Sequence, residues 1–172
     1  MNMAGGGVRS KRKGASAVAY AMVSPTVHGM KSSGVKPVLL YDGQCGLCNL
    51  IVRLLLRTDR AGRLSYAPLQ SAPAQEYLGR QGLPTNDFDS LVFVPDWEQP
   101  VAGAYRLRTD GALAAAAEVG GIWRLVTWLR VLPAGLRDSC YRLVARSRYA
   151  LCGKYHPAPL PDPAWEQRFL AR

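Results

Sequence analysis

The sequence predicts an α/β domain, a mixed sheet flanked by helices, with additional helices on its C-terminal side. Three observations predict it. A short apolar run, Val38 to Tyr41, meets a turn at Asp42-Gly43 and then a helical pattern. A second weakly alternating stretch, Arg63 to Leu69, follows that helix, and strand, helix, strand is the crossover unit that pairs its strands in parallel. A third run, Leu91 to Val94 (LVFV), has the β-branched and aromatic character of a central strand.

The first element is a tail. Met1 to Val35 is rich in Gly, Ala and Ser, holds no acidic residue and shows no sustained periodicity, so it is expected to be disordered and basic, with the folded domain spanning 36–172. A secretory signal, an organelle transit peptide and a start placed upstream of Met22 or Met30 are competing accounts. The favoured one is a tail without an address. No segment is long and apolar enough to span a bilayer.

Lys36 to Arg57, KPVLLYDGQCGLCNLIVRLLLR, is the stretch around which the rest is organised. After the turn, Leu47, Leu50, Ile51, Leu54 and Leu55 recur at helical spacing, which puts Cys45 and Cys48 in the first helical turn. Free N–H groups and the positive end of the helix dipole favour negative charge there, so the thiolate of Cys45 is expected to be stabilised, as a nucleophilic cysteine requires. Residues three apart share a helix face, so Cys48 can close onto the sulfur of Cys45 and the pair can cycle between dithiol and disulfide. Two other readings stay open. One is a zinc-stabilised binding module using Cys45, Cys48, Cys152 and His156, although Cys140 and Cys152 lie too far apart for a second tight pair. The other is two inert buried cysteines. Asp42 has two roles open to it: accepting the proton that Cys48 loses, or capping the turn.

Asp59 to Gly62 ends the helix. Ser71 then starts a second helix with Pro73 in its first turn, Tyr77 and Leu78 facing inward and Gly82 just past its end. Pro84 to Ser90 is a polar connection to the LVFV strand. Val101 to Leu107 is expected to return antiparallel, with Trp97 at an exposed tip, where a loose contact is favoured over a substrate handle. Thr109 and Asp110 can cap an Ala-rich helix, Gly111 to Val119, which Gly120-Gly121 breaks.

Two further helical patterns follow, Ile122 to Val131 and Leu136 to Arg148, divided by Pro133. Their apolar members are Trp123, Leu125, Val126, Leu129, Leu136, Tyr141, Leu143 and Val144. Arginines decorate both. A solvated face whose Arg stems cover apolar surface is favoured, with weak contact to a membrane surface or an acidic partner as the alternative. Cys140 is expected to be a small core residue. Cys152 stays ambiguous between a peripheral thiol, a second redox partner and a metal ligand. Pro157 to Pro163 reads as extended, and Ala164 to Leu170 as a short closing helix.

The chain has 172 residues, 48% of them hydrophobic, which suits one domain with a real core and a tail. Four cysteines at this length do not make a disulfide-rich secreted scaffold, and a reducing compartment such as the cytoplasm is the easier fit, with an organelle reached through the tail as the alternative. The net charge of +10 is concentrated at the start: six of those charges precede Asp42, the first acid. The cluster Arg9 to Lys13 has no interleaved aromatics, so no nucleic-acid partner is expected.

The chain resembles the DCC family of predicted thiol-disulfide oxidoreductases, from about Val38 to about Gly153. Four segments carry the resemblance: YDGQCGLC (Tyr41 to Cys48), APLQS (Ala67 to Ser71), RTDGAL (Arg108 to Leu113) and LRDSCYRLVARSRYALCG (Leu136 to Gly153). It implies a thioredoxin-like fold, a redox pair at Cys45 and Cys48, and Asp42 as the acidic member of the motif. The resemblance supplies no substrate; the dithiol reading itself calls for protein or low-molecular-weight thiol and disulfide substrates and an upstream thiol reductant, with no bound cofactor or metal. Thioredoxin-like proteins usually place a cis-proline before the strand facing the cysteines; this chain has Asp89-Ser90 there.

Overall fold

The computed structural model describes residues 36–86, 88, 90–155 and 161–171. The predicted tail, the Asp89 half of the Asp89-Ser90 position, His156 and most of Pro157 to Pro163 lie outside the described residues. Among the described residues five helices flank a four-stranded sheet: β1 (Val38–Tyr41), α1 (Gly46–Thr58), β2 (Ser65–Pro68), α2 (Ala72–Gln81), β3 (Val92–Val94), β4 (Arg106–Leu107), α3 (Arg108–Val119), α4 (Trp123–Val126) and α5 (Ala134–Cys152). Single 3-10 helices follow α4 (Thr127–Val131) and close the chain (Pro163–Arg168).

The sheet order is β2-β1-β3-β4. β1 pairs in parallel with β2, Val38 opposite Ser65, and antiparallel with β3, Val38 opposite Val94. β1 is therefore central and covered on both faces, which is why VLLY shows no polar alternation. Successive side chains go to opposite faces: Leu39 and Tyr41 join Val52, Leu55, Leu56 and the α3 residues Ala114, Ala115 and Val119, while Val38 and Leu40 join Ala74, Tyr77 and Leu78 of α2. The run of alanines lets α3 lie close to the sheet. Gly111 makes this plain, since an added Cβ would stand 2.6 Å from the Arg106 carbonyl oxygen.

Two networks tie distant segments together. Asp59, wholly buried, accepts the backbone N–H groups of Arg63 and Leu64 and pairs with Arg168 near the C-terminus. Trp123 Nε1 donates to Thr58 Oγ1 at 2.7 Å, fastening α4 to the end of α1.

Several expectations are corrected. The buried face of α1 is Asn49, Val52, Leu55 and Leu56, whereas Leu50, Ile51 and Leu54 are exposed. A helix apolar nearly all round offers two stripes, and packing on the sheet chooses between them. The return strand shrinks to Arg106–Leu107. α3 starts at Arg108 with no side-chain cap, so Thr109 and Asp110 lie inside it. Trp97 is half-buried and stacks on Tyr77 with ring centroids 5.2 Å apart, so it is not a loose tip. Cys140 is exposed, not core, because α5 packs only one side on the domain. Leu125, Leu129, Leu136, Leu143 and Val144 are exposed as well.

Candidate active site

The turn between β1 and α1 places the cysteines. Cys45 is the N-cap of α1, in extended conformation, and its Sγ accepts the Cys48 backbone N–H at 3.3 Å. A sulfur in this place does the work of a capping oxygen, and the bond strengthens when that sulfur is negative. The first turn of α1 carries no acidic residue to compete with it. Asn49, buried one turn on, donates to the Gly43 and Cys45 carbonyls at 2.9 Å each and holds the turn in shape.

Cys48 is partly exposed, and its thiol is pushed well above the ordinary range. Burial is the largest cause; a hydrogen bond to Cys45 and the charge of Cys45 follow, with Arg148 opposing and Asp42 adding to the rise. Thus Cys48 keeps its proton and presents it to the Cys45 sulfur. All four cysteines are free thiols.

Asp42 is 3% exposed and saturated with donors. Oδ1 accepts the Gln44 N–H at 3.0 Å and Gln70 Nε2 at 2.8 Å, while Oδ2 accepts from Arg148 at 3.1 Å and from the Tyr149 hydroxyl. The Arg148 guanidinium also donates to the Phe88 carbonyl at 2.5 Å. Burial, together with the bond to Asp42 and its charge, pushes Tyr149 up to about 12. Gln70, Asn49, Arg148 and Tyr149 were not singled out individually by sequence reasoning. The available signal was that APLQS and RSRY sit inside the segments carrying the family resemblance.

Cys45 itself is 0% exposed. The segment leaving α5 lies across it: Cys45 forms an isolated antiparallel bridge with Lys154, the Gly46 N–H donates to the Gly153 carbonyl at 3.2 Å, and the Tyr155 N–H donates to the Gln44 carbonyl at 2.8 Å. Gly46 is required by this approach, because a Cβ there would stand 2.3 Å from the Cys152 carbonyl oxygen. No cis peptide bond occurs among the described residues. The backbone partner of the cysteine turn is this C-terminal strap.

Cys152, the last residue of α5, thus lies beside the pair through its backbone while being exposed itself. Among the described residues no three His, Cys, Asp or Glu side chains gather so as to hold a metal ion. Cys45, Cys48 and Cys152 are accordingly not assembled as a zinc site, and the fourth proposed ligand, His156, is outside the described residues.

A mixed sheet with a dithiol at the start of the helix that follows its central strand defines a thioredoxin-like α/β protein. Residues 39–154 match the model of the DCC1-like thiol-disulfide oxidoreductase family, and the chain belongs to that family. It is similar to the uncharacterized protein YuxK of Bacillus subtilis, at 37% identity over 77% of this chain and 93% of that one. It is also similar to a chloroplastic DCC family protein of Arabidopsis thaliana, at 29% identity over 69% of this chain and 66% of that one. No solved structure matches it significantly.

Proposed function

We propose that the chain is a thiol-disulfide oxidoreductase that exchanges its Cys45–Cys48 pair with protein or low-molecular-weight disulfides. One observation carries the proposal: the Cys45 sulfur accepts the Cys48 N–H at the start of α1, while burial and the neighbouring sulfur keep the proton on Cys48. Cys45 is the nucleophile and Cys48 the resolving thiol. Asp42 acts through charge and position, each of its oxygens accepting two hydrogen bonds.

In the reducing direction the Cys45 thiolate attacks one substrate sulfur, the substrate S–S bond breaks, and the first sulfur leaves as a thiolate that solvent protonates. Cys48 then attacks the Cys45 sulfur of the mixed disulfide, its proton passing to the second substrate sulfur as that leaves as a thiol, and a Cys45–Cys48 disulfide remains. Two electrons pass from protein to substrate, and an upstream thiol reductant restores them. The reverse sequence oxidises a dithiol. Because Cys45 is buried, exchange requires the strap 152–155 to lift. We place this chemistry in the cytoplasm, where thiols persist.

The test is turnover of a disulfide substrate, insulin or a small disulfide, by the unaltered protein and by Cys45→Ser. Loss of turnover in the variant is expected; equal turnover overturns the proposal.

A further inference from the structure

Beside the cysteine turn lies a cavity of about 560 Å³, within the range of small-molecule sites. Asp42 and Gln44, the two sides of the turn, form one wall, and Arg142, Arg146 and Arg148 of α5 form the other, with Asn86 at the edge. Among the described residues the charges of this lining do not balance. Asp42 is the acidic lining residue among those described, and Arg148 already pairs with it at 3.1 Å with both side chains buried. Arg142 and Arg146 are left over. Arg142 donates only to the Ser139 hydroxyl, at 3.2 Å, and Arg146 has no hydrogen bond or ion pair among the described residues.

The two arginines stand one helical turn apart, a spacing at which like charges repel and destabilise the helix. They face a cavity whose other polar walls offer the amides of Gln44 and Asn86. Two guanidinium groups lining one recess match a carboxylate in charge, and the planar fork of each matches it in shape. Asp42 and Gln44 belong to the turn that carries Cys45, whose N–H donates to the Asp42 carbonyl at 3.2 Å, so the cavity adjoins the dithiol's turn. A buried Arg148 Nε without a partner adds positive character behind the same wall.

We infer that this cavity binds the carboxylate end of an anionic low-molecular-weight disulfide, with Arg142 and Arg146 as the specificity-determining cations, so that its sulfurs are delivered to the dithiol. The inference rests on the redox reading of Cys45 and Cys48. The exchange is balanced: one disulfide gains two electrons and two protons to become two carboxylate-bearing thiols, while the protein dithiol becomes a disulfide.

The experiment compares three disulfides of similar size, each corrected for its uncatalysed exchange rate: 3,3′-dithiodipropionate (anionic), 2-hydroxyethyl disulfide (neutral) and cystamine (cationic). The anionic compound is expected to exceed the neutral one in kcat/KM by about tenfold, and cystamine to fall below both. In Arg142→Gln/Arg146→Gln that ratio drops to near unity, and added salt erodes it in the unaltered protein. Arg124→Gln, which removes a charge on α4 away from the cavity, keeps the ratio. Turnover of all three without charge preference, or an unchanged ratio in the double variant, overturns the carboxylate site while leaving the dithiol chemistry standing. No turnover of any of them overturns the redox reading, and this inference with it.

Discussion

Replacing Gly46 with alanine sets a methyl group against backbone that cannot rotate away. The added Cβ would lie 2.3 Å from the Cys152 carbonyl oxygen and 3.2 Å from that of Gly153, whereas ordinary contact begins at 3.4 Å. The strap must therefore retreat by about 1.1 Å, which stretches the Gly46 N–H bond to Gly153 and disturbs the Cys45–Lys154 bridge. Overpacking of this kind costs about 1–3 kcal/mol, and a lost backbone hydrogen bond about 0.5–1.5 kcal/mol. Alanine returns about 0.4–1 kcal/mol through the unfolded chain. The net is roughly 2 kcal/mol of destabilisation, or about 5–10 °C in Tm for a domain of this size. Urea or thermal unfolding reads that number. Alkylation with iodoacetamide followed by peptide mapping reads the second consequence, faster labelling of Cys45. An unchanged midpoint together with unchanged labelling would refute the idea that the strap covers the nucleophile.

Other consequences follow from the same contacts. Asp42→Asn leaves Arg148, 6% exposed, without its carboxylate and is expected to cost on the order of 3 kcal/mol in urea unfolding. It also removes a charge that holds the proton on Cys48, so Cys48 alkylation should begin at lower pH. Tyr149 binds its proton more tightly folded than unfolded, so its contribution to stability is intact below pH 10 and is lost as pH rises toward about 12. Tyr149→Phe should lose less stability than the unaltered protein across that window, measured as urea midpoints at stepped pH. Asp59→Ala abandons Arg168 and two backbone N–H groups, and should cost roughly 3–5 kcal/mol and expose the C-terminal 3-10 helix to proteolysis. Protease resistance equal to that of the unaltered protein would show the Asp59–Arg168 pair to be dispensable.

What the sequence makes legible is what local physics decides. The strand at Val38 to Tyr41, the turn at Asp42-Gly43 and a helix opening on two cysteines each have a short-range signal, and all three stand where expected. The inward face of α1 is not decided locally. Leucines occur on both sides, and Asn49 goes inside because its amide finds the Gly43 and Cys45 carbonyls. The partners of Asp42 are equally invisible to periodicity: Gln70 comes from the loop after β2, and Arg148 and Tyr149 from the far end of α5. An arginine on an amphipathic helix reads as solvated, yet Arg148 is buried because a carboxylate and the Phe88 carbonyl await it. The burial of Cys45 depends on a strap more than a hundred residues later in the chain, a contact with no sequence-local trace.

Whether two sulfurs one turn apart behave as a couple is open to direct measurement. After equilibration with oxidised dithiothreitol, intact mass and disulfide mapping should show the loss of two hydrogens and a single linkage joining Cys45 to Cys48, reversed by excess reduced dithiothreitol. A chain in which both thiols survive oxidation unlinked, or in which the linkage forms through Cys140 or Cys152 instead, would contradict the account.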